Sequence, residues 1–201
     1  MTTELMNFFP EGFAPDSSGG GGDFIRVPNK DGQSIRVVLL GKAVTGYEYW
    51  TTDGKPRRLE AKPQGKPADM REKSDGGFPE KVKQFVAFPA YEYSEDGTDG
   101  RVGIFQVNQA SIISDLFDIF TSGDYDPASI FIKVERKAGK RVSYSVSGIG
   151  FTQKFNKPAP EIYAQAKELD IQAVMFPAEE EEGEAQAEPT AVDVAKAATL
   201  M

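Results

Sequence analysis

Four aromatic rings crowd into residues 83–93, KQFVAFPAYEY: Phe85, Phe88, Tyr91 and Tyr93. Rings at this density suit either a hydrophobic core or a platform on which planar groups stack. Cations are grouped before and after them. Residues 52–81 carry Lys55, Arg57, Arg58, Lys62, Lys66, Arg71, Lys73 and Lys81, densest in GKPRRLEAKPQGK and diluted by six acids. Arg136, Lys137, Lys140 and Arg141 form a second cluster, with Lys133 on the approach to it. From 133 to 157 seven bases face only Glu135. Rings for bases and cations for a sugar–phosphate path are what holding a single nucleic-acid strand requires.

Other chemistry is sparse. The 201 residues include no Cys and no His. That removes thiolate nucleophiles, the usual zinc ligands and imidazole acid–base catalysis. The carboxylates stand in no Walker loop and no calcium-type run. The expectation is a protein that is not an enzyme and uses no metal or cofactor.

The net charge of −8 argues against a polyanionic ligand only if charge is spread evenly, and it is not. Residues 23–157 contain 21 bases and 18 acids, a surplus of +3, while the flanks sum to −11. Residues 1–22 form an acidic, glycine-ended leader, read as a flexible joint. Residues 178–201 include AEEEEGEAQAEP, a low-complexity run that cannot bury a core and reads as a disordered acidic tail. Glu179, Glu180, Glu181, Glu182 and Glu184 are its candidate partner-binding residues; the plain alternative is a solubilising tail. No apolar run approaches a membrane span, and the N-terminus lacks the basic region of an export signal, so the cytoplasm is the expected location.

Between the flanks, hydrophobic periodicity places the elements that must position the rings and cations. Residues 33–51 read as one long strand, bent or bulged at Gly41 and Gly46. Residues 52–81 read as a long basic loop, mobile until ligand closes it. Residues 83–93 and 101–108 form a hairpin. Ile112, Ile113, Leu116, Phe117, Ile119 and Phe120 mark a helix, capped by Asn108 or Ser111 and stopped at Gly123. A second hairpin follows, its turn inside the basic run. The reading is a mainly β chain: a five-stranded OB-fold barrel over 23–157, with a helix between its third and fourth strands. An additional helix over 158–177 follows.

In such a barrel the second and third strands, flanked by two loops, bind oligonucleotides. Odd positions of 83–93 carry Lys83, Phe85, Tyr91 and Tyr93 and suit the ligand face. Even positions from Val82 to Ala90 suit the core. Pro89 cannot donate to a ladder, so a bulge or edge is expected there, and a bulge would move Tyr91 and Tyr93 to the other side. Tyr47, Tyr49 and Trp50 on the first strand are adjacent, so at most two share the groove, and Trp50 is open to stacking or packing. Phe105 on the third strand is a further stacking candidate of unsettled parity. Tyr144 alternates with Val142 and Val146 and reads as core. Lys55, Arg57, Arg58, Lys62, Lys66, Lys83, Lys133, Arg136, Lys137, Lys140 and Arg141 are the phosphate-binding candidates.

IRVVLL at 35–40, KQFVAFPAYEY with GRVGIFQVNQASI across 83–112, SGDYDPASIFIKVERK at 122–137 and RVSYSV at 141–146, followed by the acidic tail, resemble the single-stranded-DNA-binding replication proteins of tailed bacteriophages. The resemblance implies an OB-fold, sequence-tolerant coating of single strands in replication, recombination and repair, and a tail that contacts polymerase, helicase or primase partners. It implies base stacking by Phe85, Tyr91 and Tyr93, and phosphate contacts by Arg136, Lys137, Lys140 and Arg141. The chain departs from the family in lacking Cys and His for the zinc site some members carry, and in having no base in residues 1–22. A protein–protein adaptor or inhibitor using the barrel face, or a single-stranded RNA binder, fits the same sequence features.

Overall fold

The computed structural model describes residues 24–177. The leader, 1–22, and the acidic tail, 178–201, with all five tail glutamates, lie outside the described residues.

The chain forms β1 (Phe24–Ile25), β2 (Ser34–Leu39), β3 (Val44–Trp50), β4 (Pro56–Leu59), β5 (Lys83–Tyr93), β6 (Gly100–Val107), α1 (Ala110–Thr121), β7 (Ile130–Lys137), β8 (Ser143–Gly150), α2 (Pro160–Glu168) and α3 (Ile171–Met175). All eight strands join one mixed sheet, in the order β1-β6-β5-β2-β7-β8, with β3 pairing β5 and β4 pairing β3. The sheet is open. Closing it would need a ladder between β6 and β8; instead the parallel strand β1 takes the edge of β6, with Phe24 opposite Ile104. The five-stranded closed barrel expected from periodicity is therefore replaced by an eight-stranded open sheet. Two of the extra strands are too short to show a period: β1 has 2 residues and β4 has 4.

The long first strand breaks into β2 and β3 opposite Pro89. β5 pairs β2 from Leu39 opposite Ala90, and β3 from Val44 opposite Ala87, so the residues between Leu39 and Val44 bulge out. The Pro89 carbonyl accepts from Leu40 N at 2.8 Å, so the missing Pro89 N–H points to this same side, where the bulge needs no donor. A Cβ on Gly41 would sit 2.8 Å from Pro89 Cγ. Because the bulge lies in the partner strand, β5 pairs β6 without interruption from Val86–Val107 to Tyr93–Gly100. Its side-chain parity never changes.

Both faces of β5 are covered. Even-numbered Val86, Phe88 and Ala90 join Val37, Phe105, Val107, Ile132 and Val134 in the main core, closed by Ile112 and Leu116 of α1. α1 starts after Gln109, which makes no side-chain cap; Asn108 is engaged elsewhere, and Gly123 follows the helix with φ +78°. On the opposite face Phe85 and Ala87 pack with Ile104, Ile171, Met175 and Phe176. The expected C-terminal helix thus breaks at Leu169–Asp170, and Asp170 caps α3 by accepting from Ala173 N at 3.0 Å. Further along, Tyr93 packs edge-on against Phe131 and Phe155. Tyr144 is half-buried against the main core, as expected.

Gly46 marks a tight point of this second layer, beneath Phe176. A Cβ there would lie 2.6 Å from the Leu59 carbonyl oxygen and 2.8 Å from Phe176 Cζ. Gly46→Ala is expected to destabilise the fold by about 2 kcal/mol, within the overpacking range, as a lower midpoint in urea with an unchanged m-value.

Candidate nucleic-acid interface

The expected platform is roofed over. Phe85 and Phe105 are fully buried, and Tyr93 retains 6% of its surface. Phe85 lies under Phe176 with ring centroids 6.0 Å apart. The Tyr93 hydroxyl donates to the Asn156 carbonyl, and burial pushes its pKa up. None of the three offers a ring face to a base. Tyr91 is half-buried and edge-on to Tyr93 at 5.1 Å, so it too belongs to the packing on that side. The odd-face parity expected for Phe85, Tyr91 and Tyr93 is correct, but that face carries α3 and the segment after β8.

Beside α3 the same outer layer opens into a cleft of about 900 Å³, lined by β1, β3, β4 and the end of β6. Trp50 stands in its wall, half-buried, with the Arg71 guanidinium over its ring at 5.0 Å. Phe24 lines it as well, with the Arg58 guanidinium 5.5 Å above its ring. Lys55, its side chain 82% exposed, and exposed Arg26 complete the cationic lining. Tyr47 and Trp50 are an odd number of residues apart on β3 and point to opposite faces, so Tyr47 is not part of the cleft.

A buried carboxylate anchors the cleft. Glu48 retains 7% of its surface. Its Oε2 accepts from Arg58 Nε at 3.2 Å and Gln106 Nε2 at 2.8 Å, and its Oε1 accepts from Asn108 Nδ2 at 3.2 Å. Arg58 Nη2 also donates to Gln106 Oε1 at 3.1 Å. Three strands and the residue after β6 are thereby tied at one point, and three donors compensate the desolvated charge.

The 52–81 segment, expected to be a mobile structureless loop, is organised by its own acids. β4 pairs β3, and Thr51 bridges Met70. Asp69 accepts from the Tyr49 hydroxyl at 2.9 Å and from Arg57 Nη1 at 3.0 Å. Arg71 Nε donates to buried Glu80 at 2.7 Å, and Arg71 Nη1 to Asp75 at 2.9 Å. These pairs occupy cations that the sequence reading offers to phosphate, Arg57 foremost. Lys62, Lys66 and Lys83 stay exposed.

The second cluster divides similarly. Lys133 pairs with Glu135, and Arg136 binds Asp31 at 3.0 Å and the Asn29 carbonyl at 2.5 Å. Lys137, Lys140 and Arg141 remain exposed on the β7–β8 hairpin. A second groove, of about 300 Å³, adjoins the main cleft. It shares Phe24, Arg26 and Val27 with the main cleft and runs past Asn29 and Gln33 towards Arg136. Segment 24–33, with Phe24 and Arg26, was not among the candidates: it lacks both periodicity and charge density. Glu48 and Gln106 did leave a trace, as polar residues inside apolar strand patterns.

Among the described residues no group of three acidic side chains could hold a metal ion, and no helix is long and apolar enough to cross a membrane. No family profile, curated protein or solved structure matches the chain.

Glu48→Ala strands Arg58, Gln106 and Asn108. It is expected to cost about 2–3 kcal/mol, below the range for fully buried pairs because Arg58 keeps 19% side-chain exposure, and the denaturation midpoint measures it. Hydrogen bonds from Arg57 and Tyr49 hold the Asp69 carboxyl below its ordinary 3.8. A depressed folded pKa stabilises above the unfolded value and is lost as pH falls through the folded one. Amide exchange at Thr52, whose N–H donates to the Asp69 carbonyl, is therefore expected to lose protection below about pH 4, before the β5–β6 ladder does.

Proposed function

We propose that this protein binds single-stranded DNA without strong sequence preference, seating the strand in the Trp50 cleft and along the groove past Arg26 towards the β7–β8 hairpin. The observation that carries the reading is one open cleft in which a half-buried indole stands among Lys55, Arg58 and Arg26. A stacking ring with cations beside it meets the two demands of single-strand binding. The order of the long strands supports an OB-type origin for the sheet. β2–β3 act as one bent strand, β5–β6 and β7–β8 are hairpins, and α1 lies between them. That agrees with the resemblance to phage single-stranded-DNA-binding replication proteins. The acidic tail would then serve replication partners, with the protein acting in the cytoplasm of a host cell. α3 over Phe85 sets this reading apart from one that uses the outer face of β5.

Trp50 is the chain's sole tryptophan, so its emission reports the cleft directly. Titration with oligo-dT is expected to quench it at low salt. With four to six phosphates neutralised, affinity should fall about 50- to 300-fold between 50 and 200 mM salt. Trp50→Ala should weaken binding of a labelled oligomer by about 1–3 kcal/mol, and Phe85→Leu far less. No binding at low salt, or equal binding to duplex, would overturn the proposal.

A further inference from the structure

Resting on that reading, we infer that the cleft contains a base-selective subsite, formed by Trp50, Arg58, Glu48 and Gln106, that prefers guanine at one position of an otherwise sequence-tolerant strand. Phosphate contacts need only charge, and an exposed lysine supplies it. Arg58 is arranged differently. Its guanidinium is clamped through Nε by Glu48 and through Nη2 by Gln106, with its carbon 5.5 Å from the Phe24 ring centroid. The guanidinium is planar, so two clamped N–H groups fix the direction of the others. Nη1 makes no hydrogen bond to the described residues, and Nη2 has a second N–H beyond the one given to Gln106. The result is a positioned fork of donors in the wall of a cleft shared with Trp50.

Guanine complements such a fork, because O6 and N7 place two acceptors side by side on one edge. Adenine keeps N7 but sets an amino donor where O6 would be, against a group that can only donate. Pyrimidines cover less of the indole. Preorganisation matters here: Glu48, itself buried, holds the guanidinium before ligand arrives, so no side-chain entropy is lost on binding.

The test compares oligo-dT carrying one central dG, dA or dC, or a deazaguanine lacking the N7 acceptor, by anisotropy with the full chain. The dG oligomer is expected to bind at least about fivefold tighter than the dA oligomer, the low end for a bidentate contact. Deazaguanine should lose most of that gain. Arg58→Lys, which keeps the charge and loses the fork, should abolish the dG/dA ratio. If that variant fails to fold, the deazaguanine comparison on the unaltered protein decides. Equal binding of all bases, with oligo-dT binding intact, overturns the subsite and leaves the single-strand reading standing. A uniform loss in Arg58→Lys with the dG/dA ratio preserved assigns Arg58 to a phosphate and also overturns it. Absence of any oligo-dT binding at low salt removes both readings together.

Discussion

β5 carries apolar side chains on both faces, and neither face can be left to water. Val86, Phe88 and Ala90 require the curved sheet and α1; Phe85 and Ala87 require something on the opposite side. Ile171, Met175 and Phe176 supply it, and the position of α3 decides what remains open. Each buried aromatic removes on the order of 150–250 Å² from water, so the second layer follows from the same force as the first. The groove lies beside β5 because the outer face of β5 itself is occupied.

Charge follows a parallel logic. The described residues hold many cations, but strand pairing and burial bring acids within reach of several of them. Glu48 takes Arg58, Asp69 takes Arg57, Glu80 takes Arg71, and Asp31 takes Arg136. These pairs give shape to segments that composition alone reads as loose basic loops. They also divide the cations into two kinds: those that are structural, and lysines such as Lys55, Lys62 and Lys66 that stay in solvent. Arg58 is of the first kind, fixed by Glu48, and still lines the cleft.

Much of the fold was legible before any coordinates. The two hairpins, α1, the bend in the long first strand and the β5 parity all follow from alternation, glycine placement and helical spacing, which are local properties. The Pro89 irregularity was legible too, although it resolves as a bulge in the partner strand near Gly41, which leaves Tyr91 and Tyr93 on the Phe85 side. What sequence could not supply was the cover. Alternation assigns a residue to a face; it does not say which distant segment packs there. Phe85 and Tyr93 therefore read as ligand-facing rings while they are core, and Phe105, whose parity alternation leaves open, lies opposite Phe88 in the main core.

The sequence by itself determined the strand-rich class, the segregation of charge and the absence of Cys and His chemistry, because composition and short-range periodicity determine those. Only the tertiary structure decided which rings are free. Residues 171–176 lie some ninety positions from Phe85 and close over it, whereas Phe24, Glu48, Trp50, Arg58 and Gln106 converge from four strands on one cleft. Such a convergence is set by strand register and by a hydrogen-bonded buried carboxylate, long-range constraints that leave no period in the chain.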